Sequence, residues 1–139
     1  MFTGTCTPKL DDKGRFFLPA EYRGELGAGM VITRQHERCL VIWPTEAFRA
    51  NVEAQIQTMS PPEVRTYQRM VASAASNKAA DSQGRVTIPP ELREYAGLAK
   101  DLAVVGSYDH VEVWDLVAWK NFLAENEGTF AGDGQRRAG

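Results

Sequence analysis

The sequence predicts an α+β fold built from two β-hairpin–helix units that share one core. Three observations predict it: a thirteen-residue motif occurs twice, matching strand patterns follow each copy, and a unit of about 40 residues can hardly bury its own apolar face. The first copy runs Asp11-Asp12-Lys13-Gly14-Arg15-Phe16-Phe17-Leu18-Pro19-Ala20-Glu21-Tyr22-Arg23. The second, 70 residues later, runs Asp81-Ser82-Gln83-Gly84-Arg85-Val86-Thr87-Ile88-Pro89-Pro90-Glu91-Leu92-Arg93, with six of the thirteen positions identical. Leu26-Gly27 is then answered by Ala96-Gly97-Leu98, Leu40–Trp43 by Val111–Trp114, and Phe48 by Trp119, so the two units span about 5–48 and 75–119.

Each unit has a readable grammar. Asp-x-x-Gly-Arg is a turn, in which the carboxylate accepts backbone N–H bonds and Gly supplies a positive φ. A short strand follows (Phe16 to Leu18, Val86 to Ile88), and Pro19 or Pro89 ends it and opens a helix whose first turn carries a Glu favoured by the dipole. Gly27 and Gly97 stop these helices after about two turns. Two apolar runs per unit, Met30–Thr33 with Leu40–Trp43 and Ala103–Val105 with Val111–Trp114, form hairpins across the polar turns Arg34–Arg38 and Gly106–His110.

Between the units, Phe48, Val52, Ile56 and Met59 share one helical face. Ser60-Pro61-Pro62-Glu63 reads as an N-cap, a Pro at N1 and a Glu at capping-box spacing, after which Val64, Tyr67, Val71 and Ala74 line a second apolar face. This helical hairpin is expected to cover the sheet. Asp115 caps a last helix that turns Trp119, Phe122 and Leu123 inward, and the Gly-rich stretch from Glu125 predicts a loosely ordered tail. The chain thus divides into a first unit (1–55), a helical insert (56–76), a second unit with the last helix (77–123) and a tail (124–139).

Composition narrows the function classes. The N-terminus has neither a basic start nor an apolar core segment, which argues against secretion, and no stretch reaches the roughly 20 apolar residues of a membrane span. Cys6 and Cys39 do not make a disulfide scaffold. Net charge is −2, and residues 1–111 carry 13 basic and 13 acidic side chains, so no bulk positive field draws the chain to nucleic acid. Arg outnumbers Lys 11 to 5, which suits bidentate pairing with carboxylate or phosphate.

Arg15 and Arg85 are the candidate contact residues. Each could clamp a phosphate or pair with guanine O6 and N7, or could pair with its own Asp11 or Asp81 to stiffen the turn; the two roles are compatible. Lys13 and its counterpart Gln83 sit at turn tips, Lys9 and Lys78 are secondary phosphate candidates, and Arg23 and Arg93 near helix ends read as structural. No nucleophile-elbow, P-loop, zincin or dinucleotide motif is present, so catalysis is not expected. Cys6, Cys39, His36 and His110 lack the close pairing of a zinc site, and Cys39 reads as a small buried apolar residue. No cofactor, metal or small-molecule substrate is called for.

The paired Asp-x-x-Gly-Arg…Pro-x-Glu-x-Arg elements resemble the two Asp-x-x-x-Arg signatures of the MraZ family, over about residues 1–123. Met1-Phe2, Thr7-Pro8-Lys9-Leu10-Asp11-Asp12-Lys13-Gly14-Arg15, Asp81-Ser82-Gln83-Gly84-Arg85 and Leu92-Arg93-Glu94-Tyr95-Ala96-Gly97-Leu98 carry the likeness. The resemblance implies an AbrB-like swapped-hairpin pseudo-dimer with a shared small barrel, assembled into a ring-shaped homo-oligomer. It also implies a cytoplasmic, nucleoid-associated transcription regulator of the division and cell-wall gene cluster, binding double-stranded DNA at tandem short repeats upstream of its own operon. Carried over by position, the DNA-facing residues are Asp11, Lys13, Gly14, Arg15, Asp81, Gln83, Gly84 and Arg85. Two departures stand out: Phe16-Phe17 replaces an aliphatic–polar alternation, and Glu21 stands where a Lys is common. A protein-interaction or antitoxin-like module without DNA contact is the alternative, because the fold alone does not fix function.

Overall fold

The eight strands and five helices follow the predicted order almost element by element in the computed structural model, which describes residues 1–133. The first unit comprises β1 (Thr5–Cys6), β2 (Arg15–Phe17), a 3₁₀ turn (Ala20–Tyr22) leading into α1 (Arg23–Leu26), β3 (Met30–Gln35), β4 (Cys39–Pro44) and α2 (Thr45–Ile56). After α3 (Pro61–Ala72), the second unit repeats the series as β5 (Ser76–Lys78), β6 (Arg85–Thr87), α4 (Pro90–Tyr95), β7 (Leu102–Gly106), β8 (Val111–Asp115) and α5 (Leu116–Ala131).

The strand order of the main sheet is β1-β7-β8-β4-β3-β5. Exchanging the two units (β1 for β5, β3 for β7, β4 for β8) reverses that order onto itself, so the sheet has an internal two-fold between β4 and β8. Each short leading strand pairs with the other unit's hairpin: Thr5 lies opposite Val105, and Met30 opposite Lys78. Neither hairpin has its third strand without the other unit. That is why the two units form one folded body.

Strands β2 and β6 pair only with each other. The shared small barrel is therefore replaced by an open six-stranded sheet with a two-stranded ribbon packed on one face. Packing, rather than a closed ring of hydrogen bonds, seals the core: Phe16 and Val86 from the ribbon strands, and Leu18 and Ile88 just after them, cluster with Met30, Ile32, Leu40, Ile42, Leu102, Val104, Val111 and Val113 from the sheet. Strand residues of opposite parity face the helical layer, where Val31, Thr33, Val41, Trp43, Ala103, Val105 and Trp114 are buried too. Burial on both faces accounts for the continuous apolar runs.

Helices α2 and α3 pack on β3 and β4, and α5 on β7 and β8, so the helical hairpin covers the sheet as expected. The Ser60–Glu63 capping box forms in both directions, and Thr33 Oγ1 donates to Val71 O at 2.6 Å, which ties the end of α3 to the sheet. By position α2 answers α5, and α3 is the extra element. None of the residues in these three helices is fully buried. Trp119 and Phe122 turn inward against Trp114, with ring centroids at 5.2 and 5.1 Å, but Leu123 is exposed, a correction to its expected inward position.

A second correction concerns the tail. Residues 124–131 continue α5, which ends on Gly132 at φ +90. Leu123, Ala124, Glu125 and Glu127 are good helix formers, so Gly128, at about 1 kcal/mol relative to Ala, is the main local cost of continuing the helix. Residues 134–139 of the expected tail lie outside the described residues.

Candidate nucleic-acid interface

The two signature turns have the same geometry. In the first, Asp11 Oδ1 accepts from the amides of Lys13 (2.9 Å) and Arg15 (2.8 Å), while Oδ2 accepts from Arg15 Nε at 2.8 Å. In the second, Asp81 Oδ1 accepts from Gln83 and Arg85 amides at 2.9 Å, and Oδ2 from Arg85 Nε at 2.9 Å. The backbone closes each loop, with Asp11 N donating to Arg15 O at 2.8 Å and Asp81 N to Arg85 O at 2.9 Å. Gly14 (φ +76) and Gly84 (φ +84) take the left-handed step.

Both Asp carboxyls are held below the ordinary carboxylate range. The amide of the following Arg is the main cause, helped by its guanidinium and the intervening amide, and partial desolvation opposes them. Each Asp–Arg pair therefore forms as the turn-stiffening reading requires. It uses only Nε, however. Among the described residues no hydrogen bond engages the Nη atoms of Arg15 or Arg85.

The ribbon register places the two Arg side chains on one face. Arg15 lies opposite Thr87, Phe16 opposite Val86 and Phe17 opposite Arg85. Since alternate residues share a face, Phe16 and Val86 point into the core while Arg15, Phe17, Arg85 and Thr87 point outward. The Arg15 and Arg85 side chains keep 26% and 24% of their surface accessible. Phe16 and Phe2 are core residues, whereas Phe17 is 54% exposed.

Each turn is braced by the opposite unit. Leu18 N donates to Gly84 O (2.9 Å) and Ile88 N to Gly14 O (2.8 Å). Arg23 Nε donates to Leu18 O (3.0 Å) while its guanidinium lies on Gly84; Arg93 Nε donates to Ile88 O (3.1 Å) while its guanidinium lies on Gly14. Arg23 and Arg93 thus brace the other unit's turn, and no hydrogen bond among the described residues joins them to their neighbouring Glu residues.

The remaining candidates divide. Lys13 and Gln83 are exposed at the turn tips. Lys9 pairs with Asp101 at 2.7 Å on an exposed surface, and Lys78 is half-buried in β5. Cys39 is buried, and desolvation, with Glu112 and Glu37 nearby, pushes its thiol well up. Among the described residues no three His, Cys, Asp or Glu side chains gather as a metal-holding group, and no helix is long and apolar enough to cross a membrane.

Sequence reasoning missed one cluster. His110 contacts Asp109 at 2.8 Å and Glu112 at 3.1 Å, Glu112 accepts from Trp114 Nε1 at 3.0 Å, and the imidazole lies 4.9 Å from the Trp43 ring. Desolvation opposes charging of His110, but the two carboxylates outweigh it and raise its proton affinity. The available signal was Glu112, a charge inside an apolar strand where the other unit has Val41.

The fold and site define a duplicated hairpin–helix protein whose two halves present paired, carboxylate-anchored arginines on one ribbon. The family model described as "MraZ protein, putative antitoxin-like" matches the chain twice, over residues 1–70 and 71–139. The proteins named "Transcriptional regulator MraZ" from Cutibacterium acnes, Kineococcus radiotolerans and Salinispora tropica are 54%, 52% and 50% identical to it over 132 residues. Each alignment covers 94% of this chain and 93%, 92% and 93% of the respective relative. The chain belongs to the MraZ family.

Proposed function

We propose that the chain is a transcription regulator that binds double-stranded DNA through the outward face of the β2–β6 ribbon. One observation carries the reading: two guanidiniums, each fixed through Nε to its own Asp, stand on the same face with their Nη edges unengaged by described residues. A two-stranded ribbon fits the major groove of B-DNA, and Arg matches guanine O6 and N7 or a phosphate there. In this reading Arg15 and Arg85 contact DNA and Asp11 and Asp81 aim them. Gly14 and Gly84 shape the turns, and Lys13 and Gln83 reach the backbone or a base edge at the tips. The relatives' name, "Transcriptional regulator MraZ", supports the same class.

A subunit of net charge −2 lacks the field for tight binding at a single site, so avidity supplies it. Several copies in a ring-shaped oligomer engage tandem short repeats upstream of the chain's own operon, in the division and cell-wall cluster, within the cytoplasm and its nucleoid. Val117, Leu123 and Phe130, exposed on α5, lie on the side of the sheet opposite the ribbon, so self-association through that helix would leave the ribbon free. The test is Arg15→Ala combined with Arg85→Ala, assayed by gel retardation and by light-scattering mass. Lost retention at unchanged mass is expected; unchanged retention overturns the reading. The family description favours a second reading, an antitoxin-like partner of another protein, to which a lack of retention by the unmodified chain would point.

A further inference from the structure

The internal two-fold fails at the sheet edges. At Gly106, the position equivalent to Arg34, the N-terminal segment lies along β7: Gly106 N donates to Gly4 O at 2.8 Å, Phe2 N donates to Tyr108 O at 2.7 Å, and Phe2 is buried edge-on to Tyr22. In the first unit β5 reaches only to Ile32, and beyond it α3 packs against β3. Between α3, the end of β3 and the end of α4 lies a cavity of about 530 Å³, within the usual range of small-molecule sites. Met59, Pro62, Tyr67, Met70, Val71 and Tyr95 make its walls apolar, and from Pro62 to Val71 it follows α3 for roughly 13 Å. Its polar end is cationic. Arg34 and Arg38 lie 5.7 and 4.9 Å from the centre of the same Tyr95 ring, and no carboxylate among the described residues pairs with either. Arg34 Nη1 donates to Met70 O at 3.3 Å, while Arg34 Nε is buried with no hydrogen-bond partner among the described residues. Glu63, the carboxylate in the lining, is turned to Ser60 N at 3.0 Å, at the opposite end of α3.

We propose that this cavity binds a small amphiphile, an apolar chain ending in one carboxylate, with the chain along α3 and the carboxylate on Arg34. A buried donor without an acceptor is costly, and a slight turn of the guanidinium toward an anion in the cavity gives Nε the acceptor it lacks. Two guanidiniums on one ring also repel each other, and a single negative charge between them relieves that repulsion. The walls take the rest of the ligand: Met59 and Met70 adapt to an irregular chain, as thioethers do. The second unit buries an apolar side chain, Phe2, at its own version of this edge, which shows what the fold accepts there. An added peptide strand is the poorer occupant, because the first unit's edge is already engaged: Thr33 Oγ1 donates to Val71 O, and Gln35 O accepts from Tyr95 Oη at 2.6 Å. The cavity shares no residue with the ribbon, so its occupation does not require DNA.

The test is calorimetric titration of the full-length protein with decanoate, 1-decanol and decylamine, three probes of one chain and different charge, each below its micelle concentration. Light-scattering mass is followed alongside. Decanoate is expected to bind about tenfold more tightly than 1-decanol, the worth of one hydrogen bond to a charged group, and decylamine more weakly than either. Arg34→Met, which keeps the apolar stem, should bring decanoate down to the level of 1-decanol. Thr66→Trp places a bulky ring at an exposed helix position in the lining, where the fold tolerates it, and should weaken all three probes at least tenfold. Absence of decanoate binding overturns the proposal, as do equal affinities for decanoate and 1-decanol, or full decanoate affinity in Thr66→Trp, which would place the binding elsewhere. A fall in oligomer mass as decanoate is added also overturns it, by assigning the cavity to a second copy of the chain. An acidic, apolar tetrapeptide that binds more tightly than decanoate would overturn it in favour of a protein partner.

Discussion

Gly14 lies directly beneath Arg93: a Cβ on Gly14 would stand 2.8 Å from Arg93 Cζ. The first unit's turn is thus shaped by a side chain of the second, and the relation recurs with Gly84 beneath Arg23. Two demands meet at each glycine, a left-handed φ and the absence of a side chain. Replacing either by Ala should cost about 1–2 kcal/mol for the backbone alone and should displace the bracing guanidinium. Denaturant melts of Gly14→Ala and Gly84→Ala check the loss, and a change under 0.5 kcal/mol, roughly what an ordinary surface substitution gives, would contradict the bracing.

Arg15→Lys and Arg85→Lys should each weaken DNA binding nearly as much as alanine, by about 1–3 kcal/mol per lost bidentate contact. A Lys carries a single ammonium and cannot hold Asp with one edge while offering a second edge to DNA. Fluorescence anisotropy at fixed salt measures the loss. Binding retained by the Lys variants would show that charge alone suffices.

Affinity should rise steeply from one repeat to several and fall steeply with salt, because copies joined in an oligomer add phosphate contacts without a net positive field. Gel retardation on duplexes carrying one or more repeats reads this directly. Equal affinity for single and tandem sites would remove avidity from the mechanism.

Two pH limbs are expected. Asp11 and Asp81 have folded-state values below their unfolded ones, so their contribution is present above the ordinary carboxylate range and is lost as pH falls through the depressed values. Asp11→Asn with Asp81→Asn should flatten that acid limb. His110 has a folded-state value above its unfolded one, so its contribution is full below the ordinary imidazole value and fades as pH rises through the raised one. Melting temperature against pH should decline through the neutral range in wild type, and His110→Gln should lack that decline.

Thiol reactivity should separate the two cysteines. Cys39 is buried with its thiol pushed up, and Cys6 is partly accessible in β1. One thiol should label rapidly under native conditions and the second only in denaturant; equal rates would contradict the burial of Cys39.

Much of the fold was legible because it was written twice. The hairpins Met30–Thr33 with Leu40–Trp43 and Ala103–Val105 with Val111–Trp114 fell within a residue or two of β3, β4, β7 and β8, since burial on both faces leaves an unbroken apolar signal. Thr5–Cys6 and Ser76–Lys78 gave no such signal: two- and three-residue edge strands are defined by the hairpin they join, not by their own side chains. The open sheet was hidden for the same reason, as it depends on β2 choosing β6 over a sheet edge. Within the site, the pairing of Arg15 with Asp11 was visible as local spacing. The placement of Arg23 on Gly84 was not, because it joins residues of different units through the internal two-fold.

Arginine-selective modification by phenylglyoxal, read by mass spectrometry with and without a duplex carrying the tandem repeats, tests the central claim most directly. The account predicts that DNA protects Arg15 and Arg85 on the ribbon while leaving Arg49 on α2 and Arg65 on α3 as reactive as before. Unprotected Arg15 and Arg85, with protection at Arg49 or Arg65 instead, would contradict it.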